Sequence, residues 1–169
     1  MLYLKEINQQ DWQEEYNAIK QIPSEENGFI NKYNKSSEDY FKILAIPRLI
    51  DKSKGIKLEP NQVPETYFFL WNDNKIVGLF KIRHYLNDFL REGPGHISYS
   101  ILPSERKKGY ATKGLSLAIK KASEIIKEDS IQMCVRKNNE PSLKVQLKNG
   151  ATITKEYDFD YVTNIHLQK

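Results

Sequence analysis

A short basic turn in the middle of the chain lies between a strand pattern and a helix pattern. The residues of this turn and of the start of the helix are Arg106, Lys107, Lys108, Gly109, Tyr110, Ala111 and Thr112. The first turn of a helix presents backbone N–H groups without partners in the helix, and together with the helix dipole they favour an anion. Gly109 would let a phosphate approach the backbone closely, and the basic side chains would add positive charge. These residues are therefore predicted to bind a pyrophosphate group.

The spacing of apolar residues indicates the elements on either side of this turn. Ile97 to Ile101 alternates apolar and polar residues, as a half-buried strand does. From Gly109 to Ile126 apolar residues recur at three- and four-residue spacing, which is typical of one helix face. A further strand is predicted from Ile131 to Arg136, and a last helix from Asn139 to Gly150. The basic turn therefore connects a strand to a helix.

The rest of the chain supplies a mixed set of elements. In order, they are a strand from Tyr3 to Ile7, a helix from Asp11 to Ile19, a helix after Ser36 or Ser37 that kinks near Pro47, strands at 66–71 and 75–83, and a terminal hairpin of 151–157 and 161–167. With 169 residues and no internal repeat, the chain is predicted to form one domain, residues 1–169.

Two motifs in these elements carry a family resemblance. The pattern Arg-x-x-Gly-x-Ala stands at 106–111, with a proline three residues before it and a helix after it. Downstream, Asn139 and Ser142 form an Asn-x-x-Ser helix start, and Lys148 to Gly150 forms a Lys-x-Gly ending. In this order and spacing, the motifs resemble the acetyl-coenzyme A signature and the last helix of the GNAT superfamily of N-acetyltransferases. The order of elements is similar to the GNAT fold over nearly the whole chain.

The resemblance implies an α+β fold with a single central, mostly antiparallel sheet of about seven strands and about four flanking helices. In that fold the strand ending near Leu102 and the strand from Ile131 to Arg136 run parallel and separate at their C-terminal ends. The pantetheine arm of acetyl-CoA enters the gap, where it supplies partners for unpaired backbone groups. Ile101 and Leu102 are accordingly expected to contact the arm. Asn139 and Ser142 are expected on the cofactor side, although Asn139 is equally explained as a helix cap.

The implied reaction is transfer of an acetyl group from acetyl-CoA to a primary amine by direct attack, without a metal. Relatives commonly place a base where His96 stands, and a neutral imidazole, which titrates near about pH 6.5, accepts a proton through water. The alternative is that His96 only occupies a polar position on the strand. Many relatives carry a tyrosine as the general acid seven positions after the asparagine, but Gln146 stands there and cannot replace a phenol as a proton donor. Tyr99, Tyr157 and Tyr161 remain as candidates.

The acceptor is expected to meet the segment at 83–93 together with the early helices. Arg83 and His84 are candidate substrate contacts, although Arg83 alternatively extends the strand, and Asp88 and Glu92 would attract a cationic amine. The long segment favours a closed pocket and hence a small-molecule amine. Two alternatives stay open, namely a protein N-terminal acetyltransferase of the ribosomal-protein type and a non-catalytic module that binds or senses acyl-CoA.

The composition is that of a soluble protein. Hydrophobic residues make up 39% and charged residues 28%, and no apolar run approaches the about 20 residues of a membrane span. No signal-peptide pattern is evident at the N-terminus, so a cytoplasmic protein that does not contact membranes is expected. The net charge of +4 is scattered along the chain, which argues against nucleic acid as a partner.

Cysteine usage and the terminal hairpin bear on assembly. Cys134 is the only cysteine, which excludes an intrachain disulfide and a cysteine zinc site. Core packing is the preferred interpretation of Cys134, because it lies in an apolar strand, and a nucleophilic role is the alternative. The hairpin either closes the sheet or pairs with a second subunit, so a homodimer stays open.

Overall fold

The computed structural model describes all residues from Met1 to Lys169. The α-helices are α1 (Trp12–Gln21), α2 (Glu38–Tyr40), α3 (Ile46–Ser53), α4 (Asp88–Glu92), α5 (Tyr110–Ile125) and α6 (Glu140–Lys148). The strands are β1 (Leu2–Glu6), β2 (Glu25–Glu26), β3 (Phe29–Ile30), β4 (Glu65–Asn72), β5 (Lys75–Arg83), β6 (Ile97–Ile101), β7 (Ser130–Arg136), β8 (Thr152–Glu156) and β9 (Asp160–His166). None of the helices has the length and apolar character needed to cross a membrane.

Seven of the strands form two antiparallel sheets. The first has the order β1-β4-β5-β6, and the second has the order β7-β9-β8, so the terminal hairpin completes the second sheet of its own chain. The mixed, mostly antiparallel fold and its seven principal strands are confirmed. The predicted single sheet is divided in two, however, because β6 and β7 share no ladder. The structure also adds two short features that were not predicted, the β2–β3 hairpin and α4.

The gap between β6 and β7 opens from a single point of contact. An isolated bridge of antiparallel type joins Gly95 to Met133, and no ladder continues from it. A Cβ atom at Gly95 would lie 2.4 Å from the carbonyl oxygen of Gln132, so only glycine admits this approach. In both strands the residues after the bridge line one cleft, so both strands run from the bridge towards the cleft. The separation of their C-terminal ends agrees with the predicted splay.

Two cores lie on opposite faces of the first sheet. Successive side chains of a strand point to opposite faces, so β4 contributes to both cores. Tyr67 and Phe69 pack with residues of α1 and α3, whereas Phe68 and Leu70 pack with residues of α5. The two faces of the sheet are therefore covered by different helices, and each set of helices borders the cleft from its own side.

The predicted kink near Pro47 takes the form of a π-helical turn. This turn, Phe41–Ala45, connects α2 directly to α3, and Pro47 is the second residue of α3. Proline has no N–H to donate to the carbonyl of Ile43, and its ring crowds that carbonyl. The extra residue of a π-helical turn makes room for the ring. The turn places Arg48 and Lys52 of α3 on the wall of the cleft.

A close contact fixes α5 on the other face. A Cβ atom at Gly114 would lie 2.6 Å from Cζ of Phe80 and 2.8 Å from Cδ2 of Leu70. The absence of a side chain therefore lets α5 lie directly on the sheet. As a result, the N-terminus of α5 is held beside the C-terminal end of β6.

Candidate functional site

A cleft of about 1510 Å³ opens between β6 and β7. Alternation along β6 gives the cleft two sides. Tyr99 and Ile101 belong to the face that α5 covers, and we call this the α5 side. Ser98 and Ser100 point to the opposite face, which α3 borders, and we call this the α3 side. Residues of both sides line the same cavity, so groups bound on each side would meet at β6.

On the α5 side, the basic turn leads into an uncapped helix. Gly109 is the N-cap of α5 with φ of 80°, and no side chain caps the helix. The first bond within the helix is donated by the N–H of Lys113 to the carbonyl of Gly109 at 3.3 Å. The N–H groups of Tyr110, Ala111 and Thr112 therefore lack acceptors within the helix, and these three residues line the cleft. This is the geometry that favours a phosphate at a helix N-terminus.

The three basic residues of the turn differ in their ion pairs and in whether they line the cleft. Arg106 donates through Nε to the carbonyl of Ile101 at 3.2 Å and through Nη2 to Glu26 at 2.5 Å, so its guanidinium braces the turn. Lys108 pairs with Glu105 at 2.9 Å and does not line the cleft. Lys107 lines the cleft and makes no ion pair. Of the three cations, only Lys107 is available to an incoming anion without breaking an ion pair.

The hydrogen bonds between β5 and β6 show which backbone groups of β6 face the cleft. Leu102 donates its N–H to Val77 at 3.0 Å, and the carbonyl of His96 accepts from Arg83 at 2.8 Å. Because partners alternate in an antiparallel ladder, the even-numbered residues of β6 bond to β5 and the odd-numbered ones point away from it. Tyr99 and Ile101 therefore direct backbone groups towards the cleft.

The predicted contact at Leu102 needs correction. Its N–H bonds to β5, its carbonyl accepts from Glu105, and its side chain is buried in the core. Leu102 does not line the cleft, whereas Ile101 does. The period of two along the strand would have excluded Leu102 once Ile101 was assigned to the cleft.

The start of α6 faces Tyr99 across the α5 side. The hydroxyl of Tyr99 lies 2.8 Å from Oγ of Ser142, and the Oδ1 atom of Asn139 accepts from the N–H of Ser142 at 3.4 Å. Asn139 is thus the cap of α6, and it also lines the cleft, so its expected place on the cofactor side stays a prediction. Burial raises the pKa of Tyr99, and the phenol stays protonated at neutral pH. The cleft therefore contains a hydroxyl that can donate a proton.

The position where relatives often carry a tyrosine has a structural role here. Gln146 is 2% exposed, and its Oε1 accepts from the hydroxyl of Thr163 at 2.6 Å. Of the three candidate tyrosines, Tyr99 lines the cleft, whereas Tyr157 and Tyr161 do not. Tyr157 instead donates to Glu92 at 2.7 Å.

A buried carboxylate and two cations form the floor of the α3 side. Glu65 accepts from Lys52 at 2.9 Å and pairs with Nε of Arg83 at 3.1 Å. Burial alone would raise the pKa of Glu65, but the positive charges of Arg83 and Lys52 outweigh it and lower the pKa. Arg83 also donates through Nη1 to the carbonyl of Gly95 and to Oγ of Ser98, both at 3.0 Å. Arg83 is therefore a fixed part of the wall.

Lys81 is the buried cation of the same floor. It is 6% exposed, its ammonium donates to the carbonyl of Ile30, and the rings of Phe29 and Tyr67 lie 4.5 Å and 5.0 Å from Nζ. Burial lowers its pKa to about 8. Lys81 is not among the predicted site residues, although a lysine between Phe80 and Ile82 in an apolar strand is a usable signal.

The two histidines proposed for the site lie outside the cleft. His96 is 2% exposed; its Nδ1 accepts from the N–H of Gln132 at 2.9 Å, and its Nε2 faces Glu128 at 3.4 Å. Its free lone pair is thus already used, and burial lowers its pKa in spite of Glu128, so this position does not suit a base. His84 bonds to Thr66 at 2.8 Å, whereas its neighbour Arg83 lines the cleft.

Cys134 lies on the cleft wall contributed by β7. Core packing was the preferred interpretation, but the side chain is only half-buried and borders the cavity. Burial raises the pKa of its thiol, which keeps it protonated and a weak nucleophile.

Comparison with known proteins places the chain in a family. Residues 3–152 match the acetyltransferase (GNAT) domain. No curated protein sequence matches the chain. Among solved structures, an acetyltransferase of the GNAT family from Streptococcus pneumoniae has a TM-score of 0.67 at 15% identity and covers 99% of this chain and 100% of its own.

Two further structures with the same fold were solved with coenzyme A species. Campylobacter jejuni N-acetyltransferase PseH, in complex with acetyl coenzyme A, has a TM-score of 0.60 at 20% identity, with 99% of this chain and 100% of that chain covered. RimL, a ribosomal L7/L12 alpha-N-protein acetyltransferase in complex with coenzyme A, has a TM-score of 0.68 at 12% identity. The match covers 96% of this chain and 91% of that chain. Since the domain match covers most of its length, the chain belongs to the GNAT acetyltransferase family.

Proposed function

We propose that the protein transfers the acetyl group of acetyl-CoA to the primary amine of a small molecule. The observation that carries this proposal is the arrangement of the cleft around β6. The uncapped helix N-terminus at Gly109 opens on the α5 side, and the buried cluster around Lys81 opens on the α3 side of the same cavity. The first suits a pyrophosphate and the second suits a polar acceptor, so the two substrates would meet at β6.

The donor would lie on the α5 side. Its pyrophosphate would accept hydrogen bonds from the N–H groups of Tyr110, Ala111 and Thr112, with charge supplied by Lys107. Its pantetheine arm would bond to the backbone groups that β6 directs into the cleft, which are those of the odd-numbered residues including Ile101. These groups have no ladder partner, because β6 and β7 are joined only at the bridge, and only the carbonyl of Ile101 is already bonded, to Nε of Arg106.

The reaction would proceed by direct attack. The amine nitrogen forms a bond to the thioester carbonyl carbon, the carbon–sulfur bond breaks, and the thiolate leaves with the electron pair. We assign Tyr99 as the donor that protonates the thiolate, since its hydroxyl lies in the cleft. The proton lost by the amine goes to water, because Glu65 is already engaged by Lys52 and Arg83 and because His96 lies behind the wall.

The cover over the α3 side favours a small molecule over a peptide. The β2–β3 hairpin lies above the floor, where the ammonium of Lys81 donates to the carbonyl of Ile30 and lies beneath the ring of Phe29. An extended peptide needs an open groove, whereas this hairpin lines the cleft and covers its floor. RimL acts on a protein N-terminus with the same fold, so the hairpin rather than the fold supports our choice.

The first test is calorimetric titration with acetyl-CoA, coenzyme A and ADP, followed by a screen of amines for thiol release. We expect micromolar affinity for acetyl-CoA and coenzyme A, much weaker binding of ADP, and thiol release with at least one small amine. Binding without release for any amine would instead support an acyl-CoA sensing module. Release with peptide N-termini alone would support the protein N-terminal acetyltransferase.

A matched pair of glycine variants tests the pyrophosphate assignment. Gly109 and Gly150 both have positive φ, 80° and 88°, and at both a Cβ atom would meet nothing within 4 Å. Gly109→Val and Gly150→Val therefore introduce similar backbone strain, but only Gly109 lies where the phosphate would approach. We expect Gly109→Val to weaken acetyl-CoA binding by about ten-fold or more. The Gly150→Val variant should bind normally. Equal affinities would contradict the assignment.

A further inference from the structure

The floor of the α3 side has an excess of positive charge. Lys52, Lys81 and Arg83 line it beside a single buried carboxylate, Glu65, whereas Asp51 and Glu59 border the same cavity and Asp51 is paired with Lys57. Both oxygens of Glu65 are engaged, one by Lys52 and the other by Arg83. Lys81 makes no ion pair, and its neighbours are a carbonyl and two aromatic rings. The ammonium of Lys81 is therefore buried without an ion pair of its own, and the nearest negative charge is that of Glu65, which Lys52 and Arg83 already share.

Two of these cations have donor capacity left over. The ammonium of Lys81 has three protons and donates to one protein acceptor, the carbonyl of Ile30. Arg83 uses Nε for Glu65 and Nη1 for Gly95 and Ser98, which leaves Nη2 without a partner. The two residues stand two positions apart on β5, so their side chains leave the same face about 7 Å apart.

The phosphates of the donor would not neutralise the positive charge on the floor of the α3 side. Lys81 is paired with Ser98 across β5 and β6, and Ser98 precedes Ile101 by three residues, or about 10 Å of strand. The pyrophosphate turn lies beyond Ile101, on the face to which Tyr99 points and from which Lys81 points away. A buried charge that is compensated only in part is costly, and such groups cluster where a ligand supplies the missing charge.

We infer that the acceptor amine carries an anionic oxygen group, a carboxylate or a phosphate, and that Lys81 and Arg83 bind this group. This inference rests on the proposed function and specifies its substrate class. Polyamines are then poor acceptors, because their additional ammonium groups would face Lys81 and Arg83. The chain would differ in this respect from the spermidine N-acetyltransferase SpeG of Vibrio cholerae, a structural neighbour with a TM-score of 0.64.

Matched amines test the inference on the unaltered protein. The pairs are β-alanine with β-alaninamide and glucosamine 6-phosphate with glucosamine, and spermidine is the cationic comparison. We expect kcat/KM from thiol release to be about ten-fold or more higher for the anionic member of at least one pair than for its neutral partner. The first pair reports on a carboxylate and the second on a phosphate. Spermidine turned over as well as or better than the anionic amines would overturn the inference.

A lysine variant links the preference to the floor of the α3 side. Lys81→Met keeps the length of the side chain and removes its charge, and Lys120→Met makes the same change at an exposed position of α5. We expect Lys81→Met to lose the preference for the anionic amine while its affinity for acetyl-CoA is unchanged. Lys120→Met should retain the preference. An undiminished preference in Lys81→Met would also overturn the inference.

The readouts separate this inference from the proposal on which it rests. If acetyl-CoA is not bound, or if no amine releases thiol, the proposed function fails and the inference fails with it. If acetyl-CoA is bound and neutral or cationic amines are acetylated best, only the inference fails.

Discussion

The hydroxyl of Tyr99 bonds to α6, where it lies 2.8 Å from Oγ of Ser142 and donates to the carbonyl of the same residue at 3.3 Å, and Tyr99 lines the cleft. Its ring stacks on Phe80 with centroids 5.3 Å apart, so the phenol is held in place. Burial raises its pKa, which keeps the proton on the oxygen at neutral pH. A leaving thiolate could therefore take a proton from Tyr99, although no tyrosine stands at the position that relatives often use.

Tyr99→Phe is expected to lower kcat by about ten-fold or more, because it removes the proton donor and leaves the ring in place. Since the backbone of β6 is unchanged, KM for acetyl-CoA should stay the same. The measurement is steady-state thiol release, with Tyr157→Phe, which alters a tyrosine outside the cleft, as the control. A kcat equal to that of the parent would assign protonation of the thiolate to water.

At the residue scale, a role set by neighbouring residues could be predicted from the sequence. A role set by contacts with residues far along the chain could not. The start of α5 after Gly109 follows from neighbouring residues, and the structure places it there. His96 differs, because its position behind the wall depends on Glu128 and Gln132, which come more than 30 residues later and whose approach no local pattern encodes. Lys81 was missed because its burial depends on the β2–β3 hairpin, which is too short to leave a periodic pattern.

Among the elements, α5 connects packing most directly to the site. Its N-terminus forms the predicted pyrophosphate turn, and Gly114 sets its distance from the sheet through the contacts with Phe80 and Leu70. A side chain at Gly114 would lift the helix and move the turn away from the end of β6. Core packing and the proposed binding of the donor therefore depend on the same helix.

Gly114→Val is expected to destabilise the protein by about 2 kcal/mol, because the added atoms would overlap two buried side chains. Displacement of α5 should also weaken binding of acetyl-CoA. Urea unfolding and calorimetry measure the two effects, and Ser116→Val, at an exposed position of the same helix, is the control. Unchanged stability in the Gly114 variant would mean that α5 can shift without cost.

The longer elements could be predicted because each has a periodic core face. All seven principal strands and the helices α1, α5 and α6 follow from apolar spacing, and Pro47 indicated the irregular turn before α3. The division of the strands into two sheets could not be predicted from any one element. It arises because β6 and β7 touch only at the bridge from Gly95 and form no ladder beyond it.

At the scale of the whole molecule, buried ionisable groups make stability depend on pH. Glu15 of α1 is 1% exposed; its Oε1 accepts from the N–H of Asn8 at 3.0 Å, and its Oε2 has no partner. Burial raises its pKa from 4.5 to about 8. The folded protein therefore keeps a proton that the unfolded chain releases above about pH 4.5, so stability falls as the pH rises from about 4.5 to 8.

Glu15→Gln should flatten this pH dependence, because glutamine cannot ionise and still accepts from Asn8. We expect the variant to be about 2 kcal/mol more stable than the parent at alkaline pH, which is less than the full pKa shift implies because water and relaxation screen the charge. Urea unfolding between pH 5 and pH 8 measures the difference, and Glu14→Gln, at the exposed neighbouring position, is the control. A parent whose stability does not fall over that range would contradict the assigned protonation of Glu15.

The separation of the two sheets also bears on how such a protein can evolve. The charged floor of the α3 side comes from β4, β5 and α3, all within or upon the first sheet. The α5 side spans both sheets, and the donor contacts proposed there are made by backbone groups more than by side chains. Substitutions in the floor can therefore accumulate without disturbing the backbone edge of β6 or the start of α5. An ancestral chain of this architecture could therefore change its acceptor specificity through a few substitutions on one face of two strands. Its site for the acetyl donor would stay the same.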